Sequence, residues 1–158
     1  PLTRLEFLLG KQMPYLAVSL LNLALLVAIN RWLFGVPLKG SGVALAVGGL
    51  LYVLATTSFG LLVSAVTKTH IAAILGTMIL TTLPTVQFSG LITPRSSLDG
   101  GAALMGVLFP AGYFLDIAVG TFTKALTLRD LWLQCFVLFG FFLGFTGLSL
   151  LLLKKQEV

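Results

Sequence analysis

The sequence predicts an all-α, polytopic membrane protein, and three observations carry that class. Its 158 residues are 58% hydrophobic and 9% charged, whereas a soluble domain carries about 25% charged residues. Mean hydropathy is +1.06. The apolar residues fall in long blocks instead of short alternating runs, so hydrocarbon is the solvent that suits their outward faces. The chain reads as one transmembrane domain, 1–158, with four transmembrane helices. An N-terminal amphipathic interfacial helix precedes them, and a re-entrant helical hairpin comes before the last span.

Residues 1–11 read as the interfacial helix. Thr3 and Glu6 fit a capping box, and Leu2, Leu5, Leu8 and Leu9 share one side, with Arg4 and Lys11 elsewhere. The first span covers about 14–34. Asn22 is its only strongly polar residue before Asn30 and Arg31, and Arg31 can snorkel toward headgroups beside Trp32. A loop at 35–42 leads to a second span, about 43–66, which holds no charge. Within it Gly60 and Ser64 make a small-xxx-small pair that lets another helix approach closely. A polar turn at 67–70 precedes the third span, about 71–92, where Pro84 should introduce a kink and Gln87 lies near the far end.

Residues 93–130 are irregular. Pro94, Arg95, Asp99 and a Gly-Gly pair form a polar connection. The apolar stretch 102–122 is broken by Gly106, Pro110, Gly112, Asp116 and Gly120. An aspartate at mid-span costs about 2.5–3.5 kcal/mol on insertion scales. Two short helices that enter and return, breaking at Pro110–Gly112, avoid most of that, so a re-entrant hairpin is expected over a fifth crossing. The last span, about 131–153, is Phe-rich, carries Gly140 and Gly144 in a GxxxG arrangement and ends at Lys154 and Lys155. Charge does not orient the chain, because four spans leave five basic residues on each side.

The net charge of +5 is scattered singly between apolar blocks, which fits flanks of membrane spans and not a nucleic-acid surface. No phosphate-binding loop occurs: Lys11 follows Gly10, but Gln12 comes next. One histidine, His70, and one cysteine, Cys135, supply no metal set and no intrachain disulfide. Asn22, Gln87 and Asp116 make no catalytic constellation, so neither an enzyme nor a cofactor or metal site is expected. Beginning at Pro1, the chain reads as a fragment or a processed product.

Three stretches resemble the type-2 permease family, the membrane-spanning subunits of ATP-binding-cassette exporters. They are PLTRLEFLLGK at 1–11, FSGLITP at 88–94, and FPAGYFLD at 109–116 followed by Gly120 and Lys124. Where the family would place Arg before that glycine, this chain has Val119. The resemblance implies the C-terminal portion of a six-span subunit in a bacterial inner membrane, with both ends cytoplasmic and the hairpin in the outer leaflet. It further implies an ATPase subunit or fused domain as partner, a second permease copy, and a shared translocation path in lipid. Arg4, Glu6 and Lys11 would then form the ATPase-coupling surface, and Gly90, Pro94, Pro110, Tyr113 and Asp116 an outer gate. Two other readings remain at this point: a membrane anchor for an ATPase that transports nothing, and a secondary transporter or channel.

Overall fold

The computed structural model describes residues 4–67, 69–90, 92 and 100–156. Those residues form six helices, α1 (Arg4–Trp32), α2 (Gly42–Val66), α3 (His70–Phe88), α4 (Gly101–Leu108), α5 (Pro110–Phe122) and α6 (Trp132–Gln156). Four contain segments long and apolar enough to cross a bilayer: Leu8–Trp32, Gly42–Val66, His70–Gln87 and Trp132–Leu152.

The expected interfacial helix is not a separate element. α1 runs without a break from Arg4 to Trp32, through Pro14. Pro14 lacks the N–H that would reach the Gly10 carbonyl, but neighbouring Gln12 is buried and bonded to α2. That anchor carries the helix through the defect. Thr3, half of the expected capping box, lies outside the described residues. Gly35, at φ +62°, ends the helix with Val36 N–H turned back to the Asn30 carbonyl at 3.1 Å.

α2 is the hub, touching α1, α3, α5 and α6. Its entry is fixed by backbone bonds: Gly40 N–H donates to Thr121 O at 2.8 Å and Ser41 N–H to Leu126 O at 3.2 Å. A Cβ on Gly40 would lie 2.6 Å from the Leu126 carbonyl oxygen, and backbone atoms cannot step aside. Ser41 then caps α2, its hydroxyl accepting from Ala44 N–H. Further along, Gly48 admits Ile117 of α5 and Gly49 admits Leu23 of α1. Ile117, fully buried, packs with Ala44, Leu131, Cys135 and Leu138 in the core.

α3 starts on a Thr69 cap and stops at Phe88, short of the expected 92, because Gly90 adopts φ +100°. The region expected as a hairpin is two short helices. Their break falls at Phe109, with extended ψ 133°, and Pro110 takes the first position of α5, which suits its fixed φ and missing N–H. At 1.5 Å per residue α4 and α5 span roughly 12 and 20 Å, too short to cross a bilayer core of about 30 Å. α6 is launched by Asp130, whose Oδ2 accepts the Thr127 N–H at 2.8 Å and hydroxyl at 2.7 Å. Those bonds hold the Asp130 carboxyl below its usual value. Their contribution is complete above about pH 4 and is lost as pH falls through the lowered value.

Outside this narrow core the surface is apolar: Leu21 is 63% exposed, Ile71 72% and Leu151 65%. In water such a surface would drive association; against lipid tails it costs nothing. Gly48→Ala is expected to lower the thermal midpoint of the purified protein, since overpacking costs about 1–3 kcal/mol. In an Ile117→Ala background the same change should cost little, because the clashing methyls are gone. Equal losses in both backgrounds would contradict the packing described.

Candidate functional site

Polar groups in a lipid-facing bundle must find partners, so they mark where the chain does more than span. Among the buried ones is Gln12 of α1, 3% exposed. Its Nε2 donates to Thr57 Oγ1 at 2.7 Å, Ser58 Oγ at 3.1 Å and the Leu54 carbonyl at 3.3 Å, all on α2. From α6, the Thr146 hydroxyl donates to Ser58 Oγ at 3.1 Å. One amide thus ties three spans together. Gln12 lies eight residues past Arg4 and Ser58 eight before Val66, so both sit roughly 12 Å from the same end of the bundle.

Beside this cluster, α1 and α3 lie apart over α2 and leave a groove of about 630 Å³. Thr57, Gly60 and Ser64 supply its floor, Tyr15, Ser19 and Thr77 its flanks, and Lys11 and His70 its charged or titratable end. A Cβ on Gly60 would meet nothing within 4 Å, and the same holds for Gly140 and Gly144. Among the described residues these three glycines therefore seat no neighbouring helix. The close approaches occur at Gly40, Gly48, Gly49 and Gly120, none of them singled out from the sequence as a packing glycine.

At the opposite end, α3, α5 and α6 enclose a cavity of about 350 Å³. Gly90 and Asp116 both line it, together with Val119, Lys124, Ser89 and Gln134. Pro110 and Tyr113 stand apart from it, at the break between α4 and α5. There the Tyr113 hydroxyl donates to the Val107 carbonyl at 3.3 Å and closes the break. Tyr52 stacks on Phe114, ring centroids 4.5 Å apart, and holds α5 against α2. Pro94 lies outside the described residues. Of the charged residues at the start of the chain, Arg4 opens α1, and Glu6 and Lys11 are exposed along it.

The sequence reading passed over Gln12, Ser58, Thr146, Ser89 and Gln134. An amide inside an apolar helix is the signal that would have flagged Gln12 and Gln134. Their partners come from other helices and are not local.

Four apolar helices gathered on α2, with polar groups concentrated at two levels, define a multi-pass membrane protein. The chain belongs to the ABC-2 family transporter proteins, whose family model matches residues 1–151. Among curated proteins it is 26% identical over 132 residues to the probable multidrug ABC transporter permease YbhR of Escherichia coli (strain K12), covering 84% of this chain and 36% of that protein. It is 30% identical over 115 residues to the probable multidrug ABC transporter permease YbhS of the same organism, covering 73% and 30%. To the inner membrane transport permease YhhJ, also of that organism, it is 28% identical over 160 residues, covering 98% and 41%. The chain thus spans about a third to two fifths of the length of these relatives. No solved structure matches it.

Replacing Gln12 by Leu should lower the stability of the purified protein by about 1–2 kcal/mol, the range for interhelical hydrogen bonds in membranes. Repeating the change in a Ser58→Ala background should show coupling, measured by thermal unfolding. Strict additivity would mean the amide and hydroxyl do not interact.

Proposed function

We propose that this chain is part of the membrane-spanning permease of an ATP-binding-cassette exporter and contributes spans three to six of a six-span subunit. ATP is hydrolysed on a partner subunit or fused domain, and two permease copies form the path. Family membership supports the permease role, and one structural observation supports coupling through the start of α1. Glu6 and Lys11 lie on the same continuous helix as Gln12, whose side chain is bonded into α2 and shares Ser58 with α6. A push on the first two turns of α1 would therefore reach two other spans directly. A flexible joint between a surface helix and the span would instead have absorbed it.

In this reading Arg4, Glu6 and Lys11 meet the ATPase on the cytoplasmic side of an inner membrane. The groove between α1 and α3 lies near that side and belongs to the path, with Gly60 and Ser64 leaving room for an occupant. Gly140 and Gly144 offer α6 a surface for the second copy. α4 and α5 form the re-entrant hairpin near the outer face. Its hinge is Phe109–Pro110, and the outer gate is assigned to Pro110 and Tyr113 at that break and to Gly90 and Asp116 in the cavity, with Pro94 of the same expected set. Two relatives are named as probable multidrug permeases, which makes drugs the first substrates to try.

The test is the full-length permease reconstituted in vesicles with its ATPase. Drug-stimulated ATP turnover and loss of drug from the donor compartment are expected together; ATP turnover indifferent to every drug and without movement would favour a plain anchor. Glu6→Lys should weaken ATPase association about tenfold or more, since like-charge juxtaposition at an interface costs several kcal/mol. A compensating reversal on the ATPase should restore it. Unchanged stimulation in the Glu6 variant would remove that residue from the coupling surface.

A further inference from the structure

The cavity between α3, α5 and α6 is lined by Ser89 and Gln134, whose buried Oγ and Oε1 make no hydrogen bond among the described residues. Ser89 is only 4% exposed. A side-chain amide oxygen can only accept, and a hydroxyl oxygen accepts as well as donates. Asp116 adds a carboxylate to the same lining. The cavity is therefore rich in acceptors, which calls for a ligand group with several N–H donors and positive charge. One cation also lines it, Lys124, which follows α5. The remaining lining is apolar, including Leu115, Val119 and Leu126.

Its depth narrows the choice. The third span ends at Gln87 and the last begins at Trp132, so Ser89 and Gln134 each lie two residues from a span end. Trp132, 63% exposed, marks the same level, as interfacial tryptophans do. The cavity thus sits at headgroup height on the face opposite the start of α1.

We propose that this cavity binds a phosphoethanolamine group. Its ammonium donates to Gln134 Oε1, Ser89 Oγ and the Asp116 carboxylate, and its phosphate pairs with Lys124. Choline, whose nitrogen carries no hydrogen, cannot satisfy those acceptors and is discriminated against. The group comes either from a phospholipid of the surrounding leaflet or from a soluble phosphoethanolamine. The assignment rests on the cavity alone and not on the transport reading, so it stands or falls separately from drug-stimulated turnover.

The experiment uses the full-length permease in nanodiscs containing equal amounts of phosphatidylethanolamine and phosphatidylcholine, with retained lipid counted by native mass spectrometry. Retention of the ethanolamine lipid about tenfold above the choline lipid is expected, the effect of one charge-assisted hydrogen bond. Gln134→Leu should abolish the preference, whereas Gln134→Glu, which keeps the acceptor, should keep it. Lys124→Gln, at an exposed position where folding is not at stake, should reduce retention of the ethanolamine lipid. In a second arm, O-phosphoethanolamine is added to protein in pure phosphatidylcholine nanodiscs and its binding followed by equilibrium dialysis. Binding there, lost in Gln134→Leu, identifies a soluble source; lipid preference without it identifies the leaflet. Retention in bilayer proportion together with no soluble binding, or a preference unchanged in both Gln134→Leu and Lys124→Gln, would overturn the assignment.

Discussion

In hydrocarbon, burying one leucine against another gains little over leaving both against lipid tails, so the usual force that assembles helices is missing. What remains is close van der Waals fit and the need of every polar group for a partner. The fold meets both requirements on α2. Gly48 and Gly49 remove side-chain bulk where Ile117 and Leu23 press in, and Thr57 and Ser58 present hydroxyls where Gln12 and Thr146 arrive. The backbone bonds of Gly40 and Ser41 to the end of α5 fix where α2 begins. Most other side chains are free to face lipid, which explains why so short a chain exposes so many large apolar groups.

That division also sets what could be read from the sequence. The four candidate spans were legible because they depend on local hydropathy over about twenty residues. The interruption near Pro110 was legible because proline removes a donor, although the break falls at Phe109, one residue earlier, where Pro110 can open the following helix. The continuous α1 was not legible. The amphipathic start read as a separate helix, and the bonds that tie it into the bundle run from Gln12 to residues more than forty positions away. Gly60, Gly140 and Gly144 matched a packing pattern without seating a neighbour among the described residues, whereas Gly48, four residues after Ala44, matches the same pattern and does admit one. A small residue is recorded in the sequence; what faces it is not.

The candidate sites divide in the same way. Gly90 and Asp116 line one cavity, whereas Pro110 and Tyr113 stand apart from it. Lys124, quoted within the same stretch, lines it too. Ser89 and Gln134 complete that lining but stand 45 positions apart, on helices whose proximity only the tertiary structure supplies. Among the described residues of this lining Lys124 is the cation, set against the carboxylate of Asp116.

The spans are not held equally, and the difference bears on which can move. α2 and α6 share the most extensive contact and are joined through Ser58 and Thr146. α1 is attached to them through Gln12. α3 has no buried residue in its span, and its threonines Thr77 and Thr81 bond back to its own carbonyls at Ala73 and Thr77 instead of across to a neighbour. Displacing α3 therefore breaks little packing and none of these polar bonds, whereas displacing α1 costs the Gln12 cluster. Yet α3 borders both polar spaces: Ala73, Thr77 and Thr81 line the groove over α2, and Ser89 and Gly90 at its end line the far cavity. A rigid shift of this one helix would therefore alter both spaces, which lie at opposite levels of the bundle, without breaking the Thr77 and Thr81 hydrogen bonds that stay within it.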